Sequence, residues 1–471
     1  MTAEKTKSAG IDRRDMSRLE KTALIVAMIT SFMNPLSLSA VNVALPSIGI
    51  SLGANAISLA WIATAYAITA AVVQLPLGKI TDIRGKRRIM IIGAVLFSLS
   101  NFLAAISWSG WWMISCRIIQ GFGGSMTSVA GMAIVSSIFP PNHRGKAIGM
   151  IVGAVYAGLS VGPFIGGMLT HYLGWHSMFI VNGMLTGIAA FMAIKGLKGD
   201  WEQDVLPKEN LDIFGTLIYC TSSSFLMIGL SSLPGNFPLM LVAAGIVGLA
   251  LFAVQQKVTR HPIINVAIFL KNKAFVFSNL ATFIHYASAF AVSFLLNLYL
   301  QYVKGIEAHY AGFIILSQPI IQALFSPFMG GLSDRVEPRI LASIGMGCTA
   351  AGVWALTGIS EGTPLVFIVL ILVLLGMGYA VFSSPNTNAI MGSVDRSLYG
   401  MASSFSGTMR SMGMSVSMAV ATMSLSFYVG GRKIGINDYE GLFDVMRLCF
   451  YIFVILCCAG IAASLARGKV R

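Results

Sequence analysis

Charged residues are scarce in this chain. Only 11% of its 471 residues are Asp, Glu, Lys or Arg, and 56% are hydrophobic, whereas soluble domains carry about 25% charged residues. A water-soluble globular protein is therefore excluded. Alternating short strands are absent, so apolar segments of this length must cross a bilayer as helices of about 20 residues. The sequence predicts fourteen such segments, at 22–46, 55–77, 88–107, 111–138, 145–169, 173–195, 212–231, 237–256, 275–300, 309–330, 339–358, 364–391, 398–428 and 442–465.

Several chemical motifs are also missing. The six cysteines have neither metal-site nor disulfide-framework spacing, so we expect no metal site. No GxxxxGK[ST] phosphate loop occurs, which argues against an ATPase. No His, Asp and Ser set clusters at membrane depth, and no sizeable soluble domain is present. We therefore expect neither an enzyme nor a cofactor-binding protein.

The charge that is present lies on one side. The net charge is +14, and 26 of the 32 Lys and Arg residues fall in the predicted tails and loops of one face. The opposite face has only Lys304, Arg432 and Lys433, and the spans hold Arg117, Arg410 and Arg447. This uneven distribution of Lys and Arg is the one that the positive-inside rule describes for membrane proteins. It does not indicate a surface that binds nucleic acid. It predicts both termini in the cytoplasm, with residues 1–21 as a basic tail and not a signal peptide.

An internal duplication is visible. The charged segment Gly78–Arg88 (GKITDIRGKRR) has a weaker copy at Gly330–Arg339 (GGLSDRVEPR), 252 residues later, and Gly145 and Gly400 are 255 residues apart. Parallel repeats are a known transporter architecture, with the substrate site between the halves near the midplane. The predicted organisation is a tail (1–21), a first six-helix lobe (22–196), a linker with two inserted helices (197–270) and a second six-helix lobe (271–471).

The first charged segment is a predicted loop between two spans. Gly85 permits a tight turn, the basic residues face anionic headgroups, and Asp82 can accept hydrogen bonds from a helix N-terminus or an arginine. A role of the basic residues in topology alone is the simpler alternative. That alternative leaves Asp82 and its spaced glycines unexplained.

Two further motifs lie in the spans. Arg117, with Gln120 nearby, places a charge at membrane depth, which is costly unless it faces a cavity, meets partners or snorkels to the interface. In the fifth span, Gly158, Gly162 and Gly166 share one helix face and permit close helix approach. Pro163 in the same span interrupts the backbone hydrogen bonds.

These motifs resemble the major facilitator superfamily over nearly the whole chain, and within it the fourteen-helix drug/proton antiporters. Trp175–Asn182 (WHSMFIVN) is a partial match to another signature of that family, with His176 and Ser177 as departures. The resemblance implies an all-α membrane protein with two six-helix lobes and two extra central helices. It also implies a latch that closes the cytoplasmic side, an arginine that couples proton movement, and an antiporter motif at the interface between the halves.

The candidate residues fall into four groups. The latch candidates are Gly78, Asp82, Gly85, Lys86, Arg87, Arg88, Arg144, Gly330, Asp334 and Arg335. The coupling candidates are Arg117, Gln120, His285 and Arg410. The antiporter-motif residues are Gly149, Gly158, Gly162, Pro163, Gly166 and Gly167. The polar cavity candidates are Asn34, Ser37, Tyr66, Gln74, Tyr156, Asn297, Tyr299, Gln322, Asn386 and Asn388.

The chain departs from the family pattern in one respect. None of its eighteen acids lies in the middle of a predicted span, and Ser37 stands where related antiporters often carry an aspartate. A deep carboxylate is the usual proton carrier and counter-charge for cationic drugs. Its absence argues against a dication-specific pump and leaves Asp82, Asp334 and His285 as titratable candidates.

The expected function is export of small amphiphilic compounds across the plasma or inner membrane, driven by inward proton flow and alternating access. The expected partners are a small-molecule substrate, protons and the lipid bilayer, without nucleic acid, and the expected state is a monomer. One alternative is an exporter of a specific metabolite or organic anion that uses Arg117 and Arg410 as counter-charges. A membrane enzyme or sensor is the less favoured class.

Overall fold

The computed structural model describes residues 16–54, 56–198, 211–264, 271–429 and 440–468. Within those ranges it contains fourteen helices of 19 to 35 residues. They are α1 (Arg18–Leu52), α2 (Ala56–Arg84), α3 (Lys86–Ala105), α4 (Gly110–Ile138), α5 (Pro141–Leu173), α6 (Trp175–Gly196), α7 (Ile213–Ser232), α8 (Asn236–Val258), α9 (Lys273–Leu298), α10 (Ala308–Ser333), α11 (Pro338–Leu356), α12 (Leu365–Gly392), α13 (Tyr399–Tyr428) and α14 (Glu440–Ala466).

Thirteen of these helices are long and apolar enough to cross a membrane, which confirms the all-α membrane fold class. The helix outside that set is α13, a predicted span of 30 residues that carries Arg410 and many serines. Its surroundings explain its composition, because α13 packs against α2, α4, α9 and α14. A helix lined by protein need not be as apolar as one that faces lipid.

The sequence sets several helix ends. Ser17 and Glu20 form a capping box that begins α1. The side chains of Ser109 and Asp212 accept a backbone N–H in the first turns of α4 and α7. Pro141 begins α5, where its missing N–H costs nothing.

The predicted loop at Gly78–Arg88 is wrong in its extent. Helix α2 continues to Arg84 and α3 begins at Lys86. Gly85 alone makes the turn, with a φ angle of 93° that other residues rarely adopt. The charges therefore lie on two helix ends, because continued helix satisfies the backbone that a loop would expose. The tight turn expected at Gly85 is present.

Helices α1–α6 pack mainly with one another, and so do α9–α14. We call these groups the first and second bundles. They meet where α5 packs against α10 and where α2 packs against α13. Helices α7 and α8 pack as a pair, and α7 also touches α2 and α13. We call the end that carries Gly85 and the α10–α11 turn the basic end.

Candidate functional site

A carboxylate of the first bundle binds the start of a helix in the second. Asp82, on the last turn of α2, accepts hydrogen bonds from the Gly400 and Met401 backbone N–H groups at 2.8 and 2.7 Å. These N–H groups lie in the first turn of α13, where no intrahelical acceptor is available. The helix dipole also favours an anion there. Asp82 is 2% exposed, so the contact is shielded from water.

The second bundle makes the reciprocal contact. Asp334, at the end of α10, accepts hydrogen bonds from the Gly145 and Lys146 N–H groups near the start of α5, at 2.8 and 3.0 Å. Asn388 of α12 donates a third bond to this carboxylate at 3.3 Å. The duplicated Gly-x-x-x-Asp pattern therefore produces two matched contacts between the bundles at the basic end. We call them the Asp82 and Asp334 contacts.

Glycines bring these helices close enough for the contacts to form. A Cβ at Gly78 would collide with Ser404 and lie 2.8 Å from the Gly400 carbonyl oxygen. A Cβ at Gly330 would collide with the Gly145 carbonyl oxygen. Gly149 likewise faces the backbone of Ser326 on α10. The backbones touch at both places, so larger residues would separate the bundles.

The remaining motif glycines do not lie between the bundles, which corrects the expectation from the resemblance. Gly158 packs on Phe32 of α1, and Gly162 and Gly166 pack on Ser39 and Ala40. This stripe therefore joins α5 to α1 within the first bundle. The glycines of α5 that face α10 lie in its earlier turns, at Gly145 and Gly149. Pro163 lies inside α5, and a Cβ at Gly167 would lie 3.7 Å from Val43 of α1.

The basic latch candidates divide into two sets. Lys86 donates to the Arg396 carbonyl at 2.9 Å, and Arg144 donates to Asn388 and to the Tyr399 hydroxyl at 3.2 and 2.9 Å, so both connect the bundles. Arg87 instead donates to the Ile194 carbonyl within the first bundle. The side chains of Arg88 and Arg335 are exposed, and the structure gives them no contact between the bundles.

A small cavity lies between the bundles, above these contacts. Its volume is about 50 Å³, which is room for a few water molecules. Met132 and Val152 of the first bundle form one side, and α9, α12 and α13 form the rest. The second-bundle lining residues are Thr282, Tyr286, Phe382, Ser383, Asn386, Thr387, Ile390, Met391, Ala402, Ser403, Ser406 and Arg410.

Most polar cavity candidates are used elsewhere. Asn386 lines the cavity, and Tyr156 and Gln322 hydrogen-bond to the lining residues Tyr286 and Ser383. Asn388 belongs to the Asp334 contact. The others lie in contacts between or within helices. Asn34 donates to α4, Tyr66 lies near Asn34, and Ser37 is buried on α1. Gln74 packs against Gly407, Asn297 accepts a hydrogen bond from Gln301, and Tyr299 donates one to Ser360.

The coupling candidates are also separated. Arg117 is fully buried inside the first bundle, where it donates to the Ile62 carbonyl at 3.1 Å and to Gln120 at 2.8 Å and lies over the Tyr66 ring. It therefore neither snorkels nor reaches the cavity. His285 is buried, and its ring stacks on Phe382 at 4.0 Å. Of the four candidates, Arg410 alone lines the cavity.

Sequence reasoning missed Tyr286 and Arg467. Tyr286 meets the cavity candidate Tyr156 across the two bundles, with their hydroxyls 2.8 Å apart. Arg467, counted as a tail residue, is buried and donates to Asn386 at 2.7 Å and to Ser278 at 3.1 Å. Burial lowers the pKa of Arg467 to about 10, so it remains a cation at neutral pH. Its position directly after an apolar helix was the available signal.

Two bundles joined by short polar contacts around a central cavity define a class of membrane transporter. The chain matches the Major Facilitator Superfamily over residues 27–255 and 279–469, and it belongs to that family. It is a multi-pass membrane protein.

Relatives and a solved structure agree with this assignment. The riboflavin transporter RibZ of Clostridioides difficile is 31% identical, with 84% of this chain and 86% of the relative covered. The tetracenomycin C resistance and export protein of Streptomyces glaucescens is 26% identical, with 90% and 78% covered. The crystal structure of the human organic anion transporter MFSD10 has a TM-score of 0.64 at 14% identity and covers 94% of this chain and 99% of its own, which supports the fold alone.

Proposed function

We propose that this protein exports small amphiphilic compounds by alternating access, driven by protons that flow inward. The observation that carries the proposal is the pair of contacts at Asp82 and Asp334. In each contact, a carboxylate of one lobe accepts a few directional hydrogen bonds from backbone N–H groups near the start of a helix in the other lobe. Such contacts can break and re-form without exposing a large apolar surface, which is what a gate requires.

We further propose that the basic end is cytoplasmic, in accordance with the positive-inside rule. The moving units are then the lobes 22–196 and 271–471, and the helix pair after residue 197 follows the α2–α13 side. In the described conformation, the lobes are closed at the cytoplasmic end. The fourteen helices support a place among the fourteen-helix drug/proton antiporters.

Protons would act at the two contacts. Protonation of Asp82 or Asp334 removes the charge that binds the helix start, so the cytoplasmic side would open more readily. A charge-assisted hydrogen bond contributes about 1.5–3 kcal/mol, and a membrane potential supplies about 2.3 kcal/mol per charge per 100 mV. The gradient is therefore large enough to drive the gate without ATP.

A second candidate function is export of one specific metabolite. The relative named as a riboflavin transporter supports it, because that protein covers most of this chain at 31% identity. The export protein named for tetracenomycin C supports the broader amphiphile function.

Everted membrane vesicles with an imposed pH gradient test the proposal. Vesicles with the protein should accumulate an amphiphilic dye and dissipate the gradient as they do so, and an uncoupler should abolish both effects. Vesicles without the protein are the control. Accumulation of riboflavin alone would favour the specific exporter. Failure of every tested compound to move or to dissipate the gradient would reject proton-coupled export.

A further inference from the structure

One face of α13 carries a row of hydrogen-bond donors into the cavity. Ser403, Ser406 and Arg410 are spaced by three and four residues, which places them on one side of a helix. All three line the cavity and are partly buried. Neither hydroxyl has a hydrogen-bond partner among the described residues. The row therefore ends at the Arg410 guanidinium, and the hydroxyls of Ser403 and Ser406 lie on the same helix face before it.

The charge of Arg410 is not balanced by a protein group. The guanidinium has no ion pair or hydrogen bond with a described residue; it interacts electrostatically with Tyr156 and lies 6.0 Å from the centroid of the Tyr286 ring. A guanidinium stays protonated in proteins, and a charge at membrane depth normally has a partner. Arg117 shows the usual solution, with Ile62, Gln120 and Tyr66 around it. No described lining residue therefore supplies a counter-charge to Arg410.

The other cavity walls add no competing anion. Among the described lining residues, Arg410 is the charged one, and no Asp or Glu is present. The Asn386 amide is already engaged, because its oxygen accepts from Arg467 and its nitrogen donates to Ser278 and Thr282. The Thr387 hydroxyl donates to the Ser383 carbonyl. The cavity thus combines free donors and a positive charge with apolar walls.

The size of the cavity limits what this conformation can hold. About 50 Å³ accommodates a small polar group but not a drug-sized molecule, whose pockets measure about 300–1,000 Å³. A carboxylate would fit next to Arg410, and the rest of a larger molecule would need the lobes to separate. A planar guanidinium binds a carboxylate through two parallel hydrogen bonds.

We propose that Arg410, with Ser403 and Ser406, recognises the carboxylate of an organic anion, and that amphiphilic organic anions are the transported class. The transport part rests on the proposed function, whereas the binding part does not. The broad description of the substrate as an amphiphile then narrows to compounds with a carboxylate and an apolar body.

Two dyes with one ring system separate charge from shape. Fluorescein is an anion at neutral pH, and tetramethylrhodamine methyl ester is a cation on the same xanthene core. Binding to the purified protein is measured by fluorescence anisotropy, with benzoate as a small competing anion. The variants are Arg410→Gln, Arg410→Lys and the matched control Arg447→Gln, which removes an exposed arginine from α14. Size-exclusion profiles and thermal melting confirm folding.

We expect fluorescein to bind more tightly than the cationic dye and benzoate to displace it. Arg410→Gln should weaken fluorescein binding at least about tenfold. Arg410→Lys should weaken it less, because it keeps the charge without the planar fork. Arg447→Gln should bind like the wild type.

Other results overturn the proposal. These are preferential binding of the cation, no binding of either anion by folded protein, an unchanged affinity in Arg410→Gln, or complete displacement by equimolar chloride, which would assign the site to inorganic anions. Arg410-dependent binding without dye movement in vesicles would retain the anion site and reject export. Dye export unaffected by Arg410→Gln would retain export and reject the anion site.

Discussion

The Asp82 and Asp334 contacts share a backbone geometry and differ in what supports them. Each carboxylate accepts two backbone N–H groups near a helix start of the opposite bundle. Asp82 is deeply buried and interacts electrostatically with Lys79 and Lys86, which are themselves buried. Asp334 is partly exposed and receives a further hydrogen bond from Asn388.

The difference shows how a duplicated unit diverges. In the first copy, the negative charge of Asp82 lies near the positive charges of Lys79 and Lys86 in a buried site. A change to any of these three residues therefore affects the other two. The second copy lies at a partly exposed site, where Asn388 donates to Asp334 and Arg144 donates to Asn388 and Tyr399. We therefore expect the Asp82 contact to tolerate change less well than the Asp334 contact.

Asp82→Asn should have the largest effect. It removes the carboxylate charge that interacts with the buried Lys79 and Lys86, and breaking a buried charge pair typically costs about 3–5 kcal/mol. Transport of an amphiphilic dye into everted vesicles should fall by tenfold or more while the amount of folded protein in the membrane is retained. Asp395→Asn, an exposed acid at the same end, is the control. Wild-type transport by Asp82→Asn would reduce this segment to a topology signal.

Gly330→Ala should have the next largest effect. The new Cβ would collide with the Gly145 carbonyl oxygen, whereas a Cβ at the adjacent Gly331 would lie 3.7 Å from Lys146. Overpacking of this kind costs about 1–3 kcal/mol, so the lobes should separate at the basic end. Spin labels at the exposed positions 84 and 335, in a cysteine-free background, measure this distance by pulsed electron resonance.

The matched variant Gly331→Ala should keep the wild-type distance distribution. A longer distance in both variants would indicate a general loss of helix packing. No change in either would mean that α5 and α10 do not need backbone contact to close.

Asp334→Asn should have a smaller effect than the first two changes. The Asn oxygen can keep one backbone hydrogen bond, and Asn388 and Arg144 still bridge the lobes. A net loss of about 1 kcal/mol is typical for one hydrogen bond, so we expect the transport rate to fall severalfold at most. Double substitution of Asp334 and Asn388 should reach the effect of Asp82→Asn. An effect of Asp334→Asn as large as that of Asp82→Asn would contradict the proposed asymmetry.

The sequence was sufficient for the fold class, the positions of the helices and the role of Gly85. Charge scarcity, apolar length and glycine conformational freedom are local properties. A helix N-terminus was one of the two partners expected for Asp82, the other being an arginine, and Asp82 accepts its hydrogen bonds from a helix start. The particular helix needed the structure, since nothing in the local sequence says which bundle it faces.

The cavity was predicted poorly for a related reason. Polar residues in spans satisfy one another through interhelical hydrogen bonds, as Asn34 does with Gly124 and Thr127, so polarity alone does not identify a lining residue. Likewise the glycine stripe of α5 predicts a close neighbour without naming α1. Arg410 and the serines of α13 become informative only when the partners of each charge are known.

His285→Phe should have the smallest effect and tests whether the cavity region contains a proton carrier apart from the two contacts. His285 is fully buried, stacks on Phe382 and contacts Tyr379 edge-on at 4.5 Å, and neither ring nitrogen has a described hydrogen-bond partner. Phenylalanine keeps the aromatic packing, so the pH profile of dye transport in vesicles should match the wild type. Tyr379→Phe, which also keeps its ring, is the control. If the pH profile shifts in His285→Phe and not in Tyr379→Phe, His285 takes part in proton movement. Proton coupling would then not be confined to Asp82 and Asp334.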